Sequence, residues 1–114
     1  MNLKKKLELK LKYYFKYFSN KDLEKLEGIF SDDVQLIDWT ANIKKKKNVL
    51  NFNKKIFKKF KKIRVRLVEK FFDDKNNSFA CMILIKLDSK SINVVDVIYF
   101  NSKSQIKKIV AYLR

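Results

Sequence analysis

The spacing of apolar residues along the chain changes period several times, and each change marks an element. From Leu3 to Phe18, the residues Leu3, Leu7, Leu11, Tyr14, Phe15 and Phe18 recur at steps of three and four with lysines between them, which predicts an amphipathic helix. Ser19-Asn20 breaks the pattern and is expected to cap a second, shorter helix through Asp22, Leu23, Leu26 and Phe30. Its acidic Asp22 and Glu24 suit the positive end of a helix dipole. After a turn expected at Ser31-Asp32-Asp33, period-two alternation through Val34, Leu36 and Asp38 predicts a first strand ending near Trp39.

Val49, Phe52, Ile56 and Phe60 then line one face of a third helix predicted over about Lys46 to Lys61, with Lys54, Lys55, Lys58 and Lys59 on the other face. The remainder reads as four strands, Ile63 to Phe72, Phe79 to Leu87, Ile92 to Phe100 and Gln105 to Leu113. Polar turns at Asp73 to Asn77, Asp88 to Ser91 and Asn101 to Ser104 join them into hairpins. The middle two strands are largely apolar on both faces, which predicts helices on one side of the sheet and a partner subunit on the other. The order helix, helix, strand, helix, four strands predicts an α+β fold: a curved antiparallel sheet forming a cone, with three helices enclosing a pocket.

Composition narrows this picture. At 114 residues, 46% hydrophobic and 35% charged, the chain is expected to form one domain, 1–114, with a core that needs no disulfide or metal. It has no histidine and one cysteine, Cys81, so histidine-based catalysis and a cysteine-histidine zinc site are excluded, and no metal or other cofactor is expected. Cys81 reads as a small core residue. No apolar run reaches the roughly 20 residues of a membrane span, and Met1 to Lys6 lacks the apolar core of a secretory signal, so a cytoplasmic protein is expected.

The net charge of +16 would ordinarily point to nucleic acid or an anionic membrane. Lysine far outnumbers arginine here, and Asn, Ile, Phe and Tyr are abundant while Pro is absent, a combination that A/T-rich codons produce by themselves. Arg64, Arg66 and Arg114 are the only guanidinium groups available for base or phosphate forks, so nucleic acid or an anionic membrane is a minor expectation.

Three polar residues stand in apolar company. Period two places Asp96 on the same face as Ile92, Val94, Ile98 and Phe100. A carboxyl so placed either finds donors or keeps its proton, unless it faces a sheet edge or a partner and pairs with a lysine. Asp38 is in phase with Val34 and Leu36, where it could be a general base at a pocket mouth or a strand-end aspartate accepting backbone hydrogen bonds. Tyr14 lies on the apolar stripe of the first helix, either as a core tyrosine with a satisfied hydroxyl or as a donor into a pocket.

The segments Tyr14-Phe15-Lys16-Tyr17-Phe18-Ser19-Asn20-Lys21-Asp22-Leu23, Phe30-Ser31-Asp32-Asp33-Val34 and Val95-Asp96-Val97-Ile98-Tyr99-Phe100-Asn101, taken in order with Asp38, resemble the ketosteroid isomerase and SnoaL-like branch of the nuclear transport factor 2-like superfamily, also called cystatin-like. The resemblance covers most of the chain. It implies a small apolar or carbonyl-bearing ligand, Asp38 as general base, and Tyr14 and Asp96 as the donors that hold a developing enolate oxygen. It further implies pocket walls from Trp39, Phe18, Phe57, Ile98 and Phe100, and a homodimer formed through the sheet, for which Val95, Val97 and Tyr99 supply an outward apolar stripe. The chain departs from the isomerases in having Trp39 after the base and neither Gly nor Pro from Thr40 to Lys47, which argues against a steroid-sized substrate. Histidine-dependent dehydratases are excluded, and no arginine stands where an Asp-Arg-Asp epoxide hydrolase needs one. Two functions compete: an isomerase or cyclase acting on an enolisable carbonyl compound, and a non-catalytic ligand-binding or dimerisation module.

Overall fold

The Asn2 side chain opens the first helix by accepting a hydrogen bond from the Lys5 amide at 2.9 Å, satisfying one of the amide donors a helix start leaves free. In the computed structural model, which describes residues 2–114, this helix is α1 (Leu3–Ser19), with Leu7, Leu11, Tyr14 and Phe15 buried. The second helix, α2 (Leu23–Ile29), is capped by Asp22, which accepts from the Lys25 amide at 3.1 Å, rather than by Ser19-Asn20. Asp22 prevails because Lys21 takes a positive φ of 56° and turns the chain just before it.

The expected turn at Ser31-Asp32-Asp33 is instead part of a strand, β1 (Phe30–Ile37). Phe30 and Ser31 are buried, Asp32 and Asp33 are exposed, and the pairing of β1 shifts register between Phe30 and Gln35. The two aspartates mark an irregularity in a continuous strand, not a reversal. A short strand, β2 (Asn42–Lys44), which the apolar pattern did not reveal, pairs antiparallel with β1. The third helix, α3 (Lys46–Lys59), stops two residues before the expected Lys61 because Phe60 turns extended. The amides of Lys61 and Lys62 then find the Asp88 carboxylate at 3.3 and 2.8 Å.

Four long strands follow: β3 (Ile63–Asp73), β4 (Ser78–Leu87), β5 (Lys90–Phe100) and β6 (Ile106–Leu113). With one glycine in the chain, the connections use Asn77, Asp88 and Ser104 at positive φ, two of them residue types that tolerate this region. The turn expected at Asp88 to Ser91 shortens to Asp88-Ser89.

The six strands form one curved sheet in the order β2-β1-β6-β5-β4-β3. It is not wholly antiparallel as expected, since β1 and β6 run parallel. No hairpin constrains this pair, whose partners come from opposite ends of the chain. Register shifts at Leu67/Glu69 and Tyr99/Phe100 bend the sheet. Helix α1 packs against β3, and α3 against β1 and β2, so the helices cover the concave face and leave the other face bare.

Candidate functional site

Rows of residues in register run across the concave face, and their sizes decide where space remains. Phe100, Ile106 and Phe30 form one row, and Phe79, Ile98 and Ile109 the next, all of them fully buried. Cys81, Asp96 and Ala111 come third, followed by Ile83 beside Val94 and then Ile85 beside Ile92. Phenylalanines fill the first rows. Beyond them the sheet offers only shorter side chains, and a cavity of about 180 Å³ opens between it and the helices. One ordered water needs about 15 Å³ of such space, so there is room for a small organic molecule.

Asp96 stands at the floor of this cavity, where the packed rows end. It is 7% exposed, and burial pushes its carboxyl from 3.8 up to about 7, with no hydrogen bond to the ionised form offsetting the loss of water. No lysine pairs with it among the described residues. Tyr14 reaches the same cavity from α1. Its ring is wedged among Phe15, Phe18 and Phe30, with centroids 5.3, 6.3 and 6.0 Å away. Burial above all, and then the negative charges of Asp96 and Cys81, hold its hydroxyl well above the ordinary value, so it remains a donor.

Asp38, the first residue after β1, lines the cavity as well. Its Oδ1 accepts from the Thr40 amide at 2.7 Å and from the Thr40 hydroxyl at 2.9 Å, while its own amide donates to the Ala41 carbonyl at 2.9 Å. These bonds fix the carboxylate as a turn aspartate would be fixed, and they leave Oδ2 unengaged among the described residues. Asp38 is thus a strand-end aspartate accepting a backbone hydrogen bond at the border of the cavity. Trp39, 49% exposed, forms part of the cavity rim, and Phe18 part of its wall.

Phe57, Ile98 and Phe100, expected in the wall, do not border the cavity. Phe57 is buried behind Phe18, whose ring it meets edge-on at 5.1 Å. Ile98 and Phe100 belong to the packed rows. The wall instead draws on Phe52, Asn53 and Ile56 of α3, on Phe60 just past its end, and on Ile83, Ile85 and Val94 of the sheet. Asn53 was the residue the sequence reading missed. It falls four residues after Val49 and three before Ile56, so an amide on an apolar helix face was the available signal.

Cys81 is fully buried in register with Asp96, and its thiol is pushed up to about 12, chiefly by burial and further by Asp96, with Lys70 pulling the other way. No group of three or more Cys, Asp or Glu side chains able to hold a metal occurs among the described residues. No helix among them is long and apolar enough to cross a membrane.

No protein-family model matches the sequence, and no curated protein matches it. Solved structures do. An NTF2-like protein of unknown function from Cytophaga hutchinsonii superposes with a TM-score of 0.81 at 9% identity, over 95% of this chain and 89% of its own. A candidate ketosteroid isomerase from Kribbella flavida gives 0.80 at 12% identity, over 96% of this chain and 78% of its own. A candidate isomerase of the SnoaL-like family from Agrobacterium tumefaciens gives 0.77 at 15% identity, over 100% and 99%. Identities this low carry the architecture and not the chemistry. The chain has the nuclear transport factor 2-like fold, in the form shared by SnoaL-like and ketosteroid isomerase-like proteins.

Proposed function

We propose that the protein binds a small, largely apolar carbonyl compound and acts on it as an isomerase or cyclase, with Asp38 as base and Tyr14 and Asp96 as donors to the carbonyl oxygen. The observation that carries this reading is that three polar side chains from three separate elements border one apolar cavity. Asp38 removes a proton from the carbon beside the carbonyl, the C–H electron pair becomes a C=C bond, and the carbonyl π pair moves onto oxygen. Tyr14 and protonated Asp96 hold that oxygen as charge develops among largely apolar surroundings. Where a C=C lies next to the carbon that loses the proton, Asp38 returns that proton to the far carbon of the extended enolate and the C=O re-forms; in a cyclase the enolate carbon instead attacks a second carbonyl carbon of the same molecule, whose π pair moves onto its oxygen and takes the proton from Asp38.

Asp38→Asn is expected to abolish turnover of an enolisable ketone while leaving binding intact, read by steady-state rates beside a binding titration. Normal turnover by that variant removes the mechanism. Because only protonated Asp96 can donate, turnover is also expected to fall as pH rises through about 7.

A second reading, a binding module that works as a homodimer, is favoured by the uncovered outer face of the sheet. Phe71, Met82, Val95, Val97 and Tyr112 lie there, with Phe71 56% and Tyr112 57% exposed. Light scattering that reports a strict monomer counts against it. The +16 charge supports the lesser reading of an anionic partner, nucleic acid or membrane, whose binding weakens steeply with salt. A cytoplasmic location fits one free, buried cysteine.

A further inference from the structure

One buried donor is left over by the mechanism. Asn53, on α3, is 3% exposed and borders the cavity, and its Nδ2 is turned away from the free space and meets no hydrogen-bond acceptor. The other unpartnered buried polar atom among the described residues, Ser31 Oγ, lies away from the cavity. An amide buried without an acceptor weakens the fold, and a leucine, branched at the same carbon, carries no such cost where the cavity beside it takes up its extra bulk. Its neighbours on the same wall, Phe52, Ile56 and Phe60, are all apolar.

We infer that Asn53 is a specificity-determining residue whose amide, turned about its Cβ–Cγ bond, donates to a second oxygen of the ligand, separate from the carbonyl oxygen facing Tyr14 and Asp96. The walls differ: Asn53 comes from α3, which packs on β1 and β2, whereas Tyr14 comes from α1 and Asp96 from β5. Asp96 also gains no hydrogen bond from the amide. The ligand class is therefore a compact, largely apolar molecule with two oxygen functions, a carbonyl for Tyr14 and Asp96 and a ketone, ether or ester oxygen for Asn53. This assignment rests on the reading of the cavity as a carbonyl-binding pocket.

Three probes of nearly equal shape separate the two claims: tetralin with no oxygen, 1-tetralone with a carbonyl, and 4-chromanone with a carbonyl and a ring ether oxygen. NMR titrations of the unmodified protein are expected to give the affinity order chromanone, tetralone, tetralin, with about a tenfold gap between the first two. Asn53→Leu should close that gap, keep the gap between tetralone and tetralin, and leave the ligand-free protein melting no lower than before. Asn53→Ala, which also removes the donor, provides the same comparison if leucine is not accommodated. An unchanged chromanone-to-tetralone ratio in these variants overturns the role of Asn53 whatever the melting temperature does, while a persisting tetralone preference leaves the carbonyl pocket standing. Equal affinity for tetralone and tetralin in the unmodified protein defeats the pocket reading, and the Asn53 assignment with it.

Discussion

Phe79 and Ile98 pair across two strands with no space around them, whereas Ile83 and Val94, two rows along the same strands, border a cavity. Both pairs are apolar, face the same way and are cut off from bulk water, with exposures of 1% or less. What differs is the size of the company. Phe30, Phe79 and Phe100 bring rings to the sheet at the closed end, and Ile83, Ile85, Ile92, Val94 and Ala111 bring shorter aliphatic chains at the other. An interior packs to crystal-like density where volumes fit and keeps a void where they fall short, so residue size along each strand sets the cavity floor. Asp96 sits on that boundary, dry enough to resist ionisation yet open to a ligand.

The contrast can be broken most strongly by opening the closed end. Phe100→Ala is expected to lose about 3–5 kcal/mol in urea unfolding, because its neighbours cannot collapse into the gap. Ile85→Ala, removing a side chain that already borders open space, is expected to lose only about 1 kcal/mol. Equal losses would mean the cavity does not persist in solution.

The boundary residue gives the next effect. In the folded protein Asp96 holds its proton up to about 7, while the unfolded chain releases it near 3.8. Between those values the native state binds more protons than the unfolded state, so stability falls as pH rises, by roughly 4 kcal/mol from pH 4 to pH 8. Asp96→Asn should flatten this part of the stability profile, measured by chemical denaturation at each pH. A profile no flatter than that of the unmodified protein would place Asp96 in water.

The smallest effect concerns Cys81, one strand away in the same row. With its thiol pushed up to about 12 and no exposed surface, it is expected to react negligibly with iodoacetamide at pH 8 in the native protein, and readily after unfolding. Fast native labelling would show that the cavity floor opens.

Much of this was legible from local pattern. Period two alone turned Asp96 inward, and helical spacing placed Tyr14 toward the sheet, because side-chain direction depends only on backbone period. Depth was not legible. Ile98 and Phe100 are in phase with Asp96 and were expected beside the ligand, but alternation reports which face a residue occupies and not what fills the space above it. Asn53 hid among Val49, Phe52 and Ile56 because the helix was read for its apolar members. The parallel pairing of β1 with β6 left no local trace, since it joins segments that share no turn. Strand β2 offered one apolar residue, Ile43, too few to establish a period.

That parallel pairing also bears on the order in which the molecule assembles. Strands β3 to β6 follow one another through short turns and can zip together early, whereas β1, paired locally with only the three-residue β2, must wait for β6 from the far end of the chain to join the main sheet and bears the full entropy of closing that loop. Leu36 lies on β1 and Asp38 just after it, and both border the cavity. The compartment is therefore expected to be sealed in the last step of folding and to be the first thing lost when the chain begins to open, with β1 amides exchanging with solvent ahead of those in β4 and β5.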